Sequence, residues 1–122
     1  MNDVQNRNDL GLIVKKFYEK AIPDPVIGHF FTEVIPIDWD EHIQLVTNFW
    51  DNMIFGTSEY RNNPMSPHIH LNSLSKMQKH HFEKWLALWT ATIHEHFEGD
   101  TAREIINRAT SIARIMEFKM NP

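Results

Sequence analysis

Between Met77 and Glu98 the large apolar residues return at every third or fourth position: Phe82, Trp85, Leu86, Trp89, Ile93 and Phe97. That spacing follows the 3.6-residue turn and predicts one long helix with a single buried face. Gly99 ends it, and Asp100 is placed to cap a last helix through about Met120. The stripe of that last helix is Ala102, Ile105, Ile106, Ala109, Ile112, Ala113, Met116 and Met120. Faces this wide need other helices to cover them, because no segment of the chain alternates apolar and polar residues at strand period.

Upstream the same period recurs. Asp9 can cap a helix to about Ala21, with Leu10, Ile13, Val14, Phe17 and Ala21 inside and Tyr18 beside them. Pro23 and Pro25 stop it, and Pro25 is expected to open a short helix through about Phe31. Ile35-Pro36-Ile37 reads as a corner. Asp38-Trp39-Asp40-Glu41 has capping-box spacing and starts a helix that runs to about Phe55, with Gly56 as C-cap. Its inner stripe is expected to be His42, Leu45, Val46, Phe49 and Met53. The stretch 56–63 is polar and turn-rich, and 72–76 is a second connection, with Ser75 a candidate cap. The expected fold class is all-α, one domain over residues 9–122 behind a frayed segment 1–8, with globin-like helix crossing one of few standard solutions.

Composition removes several function classes. The 122 residues carry 12 basic and 16 acidic side chains, a net charge of −4, with no Lys/Arg block, so nucleic acid is not an expected partner. There is no cysteine, which excludes disulfides, thiolate catalysis and Cys-based metal sites. The polar N-terminus reads as no signal peptide, and no apolar run reaches the roughly 20 residues of a membrane span. A cytoplasmic protein without membrane contact is the expectation. Neither a Gly-rich phosphate loop nor His-Glu-x-x-His nor Glu-x-x-His occurs, so nucleotide binding, zinc proteolysis and carboxylate-bridged di-iron chemistry have no support.

Eight histidines and four tryptophans are many for this length. Asn63-Pro64-Met65-Ser66-Pro67-His68-Ile69-His70-Leu71 is the segment that gives them meaning. Its prolines allow only a short helix starting at Pro64 or Pro67, with His68 just inside that start. A lone loop histidine is ordinarily solvated, a histidine such as His42 on an apolar face is ordinarily a hydrogen-bonded core residue, and Tyr18 and Trp85 alone would read as core. Together they describe one fixed imidazole and a few donors inside an aromatic shell, an arrangement suited to a haem iron. His80, His81, His94 and His96 read as surface residues.

The set resembles the truncated haemoglobins, and within them group III, from about Leu10 to Met116. The stretches that carry the likeness are Phe17-Tyr18-Glu19-Lys20, Gly28-His29-Phe30-Phe31, His42 with Asn48-Phe49-Trp50, Tyr60 through Leu71, His81 through Trp89, and Phe97-Glu98-Gly99. Group I and II members carry Gly-Gly pairs at helix ends, whereas the four glycines here are never adjacent. The resemblance implies a shortened globin fold, a helical sandwich around haem b (iron protoporphyrin IX). It makes His68 the proximal iron ligand, Tyr18, His42 and Trp85 the distal polar residues, and Phe31 a ring packed on the porphyrin. Val46, Phe49, Leu71, Phe82 and Ile112 are the apolar residues expected to wall the cofactor. His70 is a second imidazole that could compete with His68, and His42 is expected at the pocket mouth as a gate.

Dioxygen and other diatomic molecules are the implied ligands, bound tightly by polar donors, with nitric-oxide dioxygenase-like or peroxidase-like chemistry and a redox partner compatible with such a pocket. Two readings from other classes stand beside this one: a haem-free helical interaction module, and a His-rich binder of divalent metal.

Overall fold

The computed structural model describes residues 1–56 and 65–121. Five α-helices and one π-helical turn appear in the order α1 (Arg7–Ala21), the π-turn (Phe30–Val34), α2 (Trp39–Phe55), α3 (Met65–Leu74), α4 (Lys79–His96) and α5 (Asp100–Met120). The described residues contain no strand. The expected all-α fold is therefore observed. The expected turn-rich connection at 57–63 lies outside the described residues, as do Tyr60 to Pro64 of the family-like stretch.

The core is built where α1 packs against α2 and α4, and α4 against α5. Leu10, Ile13, Val14 and Ala21 of α1 have no exposed surface, and Phe17 has almost none. Ile93 of α4 and Ile105 and Ala109 of α5 are equally closed. These are the predicted stripes, and removing their apolar area from water is the main term holding the helices together.

The N-terminal residues depart from expectation. They are not frayed: Val4 is buried, and the Asp3 carboxylate accepts from Thr101 N at 3.0 Å and Ala102 N at 2.9 Å. The last helix is thus capped from the far end of the chain, not by Asp100, which is its first helical residue. The approach needs Gly99, whose φ is +134° and whose Cβ, if present, would lie 2.5 Å from Asp3 Cγ. Helix α1 likewise starts earlier than Asp9: Asn6 is its N-cap and Asp9 N donates to Asn6 Oδ1.

Burial pushes the Asp3 carboxyl up, but the backbone N–H groups of Thr101, Ala102 and Val4 outweigh it and hold the pKa below the usual value. A lowered folded pKa means the cap is intact above the ordinary carboxylate range and lost as pH falls through the folded value. Asp3→Ala should cost about 1 kcal/mol, the usual worth of such a cap, and the deficit should shrink in acid. Urea melts of both proteins at neutral and acid pH measure it; an unchanged midpoint at neutral pH would deny the cap any role.

The short helix expected over 25–31 is not formed. Asp24 Oδ1 instead accepts from Val26 N (2.8 Å) and Ile27 N (3.2 Å), while Gly28 N donates to Asp24 O (2.8 Å). This closes one compact turn, a side-chain alternative to helix propagation. A Cβ on Gly28 would lie 2.3 Å from the Ile22 carbonyl oxygen, so only glycine permits that approach. Phe31 N and Thr32 N both donate to Gly28 O and lead the chain into the wider π-turn. Lys84 of α4 pairs with Asp24 at 3.4 Å and ties the corner to the core.

Helix α2 begins and ends as expected. Asp38 caps Glu41 N at 3.3 Å, and Gly56 closes the helix at φ +67°. Its buried face, however, is Thr47, Trp50 and Asp51, not the expected His42–Leu45–Val46–Phe49–Met53 stripe, of which Leu45 keeps 37% exposure. Two further corrections concern α3 and α4. Residues 72–74 continue α3, and Ser75 only closes it, donating from N to Leu71 O. The cap of α4 is Gln78, reciprocally bonded with His81, whose Nδ1 accepts from Gln78 N at 2.9 Å.

Candidate functional site

The displaced stripe of α2 has a reason: it faces a cavity. A space of about 240 Å³ is enclosed by α1, the π-turn, α2, α3, α4 and α5. Tyr18, Phe31, His42, Val46 and Phe49 line it from the first three elements. His68 and Leu71 line it from α3, Phe82 and Trp85 from α4, and Ile112 from α5. All ten residues singled out from the sequence therefore meet in one place.

A larger groove of about 660 Å³ runs along the outside of α5, bordered by Asp100, Arg103, Glu104 and Arg108. Its cations already pair with its anions, Arg103 with Asp100 and Arg108 with Glu104. Screened surface pairs in an open groove define no ligand chemistry, so the smaller apolar cavity is the candidate site.

Three polar side chains reach it from different helices. The Tyr18 hydroxyl lies 2.8 Å from His42 Nε2. Tyr18 is buried, and burial alone raises its phenol pKa, so the phenol stays protonated. Burial, and after it the charge of His68, lower the His42 pKa and favour the neutral imidazole. The His42 ring, expected as a gate, is held in its inward position by a buried phenol on α1. Trp85, from α4, is edge-on to Phe17 and nearly parallel to Trp89, with ring centroids 6.1 Å apart in both pairs. Trp89 stacks in turn on Trp50 at 5.1 Å. Trp89 Nε1 is the one fully buried side-chain N or O atom among the described residues without a hydrogen-bond partner.

His68 is half-buried at the fourth position of α3, next to Pro67, whose missing N–H costs nothing in a first helical turn. Pro67, His68 and Leu71 all line the cavity, whereas His70 is exposed and does not.

Sequence reasoning missed part of the wall. Ile35 and Ile37 close the cavity from the connection before α2, and Met77 and Met116 from α3–α4 and α5. An apolar pair in a corner, Ile35-Pro36-Ile37, was the available signal. His81, read as a surface residue, is half-buried at the cavity rim, packed edge-on to Phe30 at 4.9 Å. Its role as a helix cap explains why a histidine sits there.

No family model matches the chain. Among curated proteins it is similar to the group 3 truncated hemoglobin of Campylobacter jejuni, 28% identical over 111 residues, covering 88% of this chain and 85% of that one. The crystal structure of the group III truncated hemoglobin from Campylobacter jejuni superposes with a TM-score of 0.85 at 26% identity, covering 98% of this chain and 95% of that chain. This chain has the fold of a group III truncated haemoglobin. The resemblance drawn from Phe17-Tyr18, His42, His68 and Trp85 thus agrees with both likenesses. In this globin fold no helix among the described residues is long and apolar enough to cross a membrane. Among the same residues no group of three or more His, Asp or Glu side chains could hold a metal ion.

Proposed function

We propose that this globin holds a haem b in the cavity, that His68 would ligate its iron, and that dioxygen and other diatomic molecules bind there. The observation that carries the reading is the convergence of His68, Tyr18, His42 and Trp85 on a cavity whose other walls are almost wholly apolar. The donor set fits the group: among the described residues no Asp, Glu, Lys or Arg lines the space, and flat aromatic rings from α1, the π-turn and α4 suit a planar macrocycle. When bound, haem supplies an iron that takes a small ligand at the position not held by imidazole.

The chain's own contribution is polarity in an almost wholly apolar space. A phenol O–H and an indole N–H are donors, and both gain strength where water is excluded. If His42 donates to the phenol oxygen, the single phenolic hydrogen is left to point into the cavity, and the two bonds reinforce each other. Such donors favour ligands that carry partial negative charge, and so tight oxygen binding over transport. The same donors suit peroxide and nitric-oxide chemistry.

The test is direct. Haemin titrated into the purified apoprotein should produce a Soret band at one equivalent, and the reduced protein should take up oxygen and carbon monoxide. A preparation that stays colourless with excess haemin would remove the cofactor and favour a haem-free interaction module.

A further inference from the structure

Beside the cavity, and outside its lining, stands Trp39, the first residue of α2. It is partly buried, its ring lies 5.0 Å from that of Tyr18, and it is perpendicular to His42 at 5.7 Å. Trp85 is also partly buried, and it stacks inward on Trp89, which stacks on Trp50, 3% exposed. Tyr18 and Trp39 form a second aromatic route, from the cavity to a partly buried indole at the start of α2. Tyr18 also has what a redox-active phenol needs, a base within proton-transfer reach, since His42 Nε2 is 2.8 Å from its oxygen.

We propose a further activity for this site: Tyr18, His42 and Trp39 form a one-electron relay, through which hydrogen peroxide in the cavity oxidises phenolic reductants at the surface beside Trp39. This rests on the haem reading above. In the first step Tyr18 gives one electron to the cofactor oxidised by peroxide, and its O–H bond breaks. The proton moves to the lone pair of His42 Nε2, leaving a neutral tyrosyl radical and an imidazolium. In the second step Trp39 gives one electron to the tyrosyl radical, and His42 returns the proton, restoring phenol and imidazole. In the third a phenol at the surface reduces the Trp39 cation radical, releasing one proton to water. Two such cycles reduce one hydrogen peroxide to two waters with two protons, and two phenols become phenoxyl radicals. The nearby imidazole takes the proton across one hydrogen bond, so the buried phenol never carries the charge of a cation radical.

The experiment uses the haem-loaded protein mixed with hydrogen peroxide and guaiacol. Freeze-quench electron paramagnetic resonance should show a tyrosyl signal that disappears in Tyr18→Phe. Trp39→Phe should keep the Soret band and the oxygen dissociation rate, lengthen the life of the tyrosyl signal, and lose most guaiacol oxidation. Tyr60, the only other tyrosine, is controlled by Tyr60→Phe, which should leave the signal in place. A normal Soret band with a radical indifferent to Tyr18→Phe, or guaiacol oxidation indifferent to Trp39→Phe, overturns the relay alone. Absence of a Soret band overturns the cofactor reading, and the relay with it.

Discussion

Replacing His68 by alanine should strip the protein of its axial nitrogen: haem held weakly or lost on gel filtration, with a normal spectrum regained on adding free imidazole. The expectation rests on the register of α3. Successive residues of a helix lie about 100° apart, so His68 and Leu71 share a face while His70 points roughly 200° away from His68. His68 and Leu71 line the cavity, and His70 is exposed. Pro67 fixes its own φ at a place where no backbone donor is needed, which stiffens the segment that presents the imidazole. His70→Ala should therefore leave the absorption spectrum unchanged. The large loss at His68 is expected because no other imidazole of α3 lines the cavity, and the two from other helices are already held, His42 by the Tyr18 hydroxyl and His81 Nδ1 by Gln78 N. The mirror-image result, with loss at His70 and none at His68, would mean that α3 is turned by half a revolution.

How far the sequence spoke depends on whether the signal was local. The stripes of α1, α4 and α5 were legible because each buried face repeats at helical period within its own segment. The caps Asp38 and Gly56 were legible for the same reason, since a cap acts within four residues. Asp3 was not: it caps a helix that starts ninety-seven positions on, and nothing in Met1-Asn2-Asp3 announces Gly99. Nor was the turn at Asp24, where a carboxylate takes two backbone donors and diverts the chain from the helix expected to open at Pro25. The site shows the same division. His68, His42, Tyr18 and Trp85 were found as polar residues on apolar stripes or next to proline. On α2 periodicity located the apolar face but could not tell a face against protein from a face against a cavity. Thr47 and Asp51 are on the side closed by α1, where Thr47 lies beside Gly11 and Asp51 pairs with Arg7.

Tyr18→Phe should raise the oxygen dissociation rate by about tenfold, from loss of one charge-assisted hydrogen bond of about 1.5 kcal/mol. Trp85→Phe should act in the same direction. Carbon monoxide, less polar when bound, should respond less, and equal effects on both gases would mean that the change is steric. The pH dependence follows from the Tyr18–His42 contact. At neutral pH His42 is uncharged, because burial lowers its pKa, and that cause remains when His68 is neutral as an iron ligand. A neutral ring can either accept the phenolic proton or donate to the phenol oxygen, so Tyr18 is divided between His42 and the ligand. Protonated His42 carries hydrogens on both nitrogens and can only donate. It then turns the phenolic hydrogen toward the cavity. As pH falls through the lowered His42 value, oxygen dissociation should therefore slow, provided that the ring stays paired with Tyr18. An imidazolium that left for water would instead open the entrance and speed association. Flash photolysis and stopped-flow from about pH 5 to 8 separate the two. His42→Leu should abolish the pH dependence, and Tyr18→Phe should abolish the slowing in acid because the phenol that His42 orients is gone. Slowing that persists in Tyr18→Phe would place the titrating donor elsewhere, and acid-accelerated association would make His42 the gate expected from the sequence.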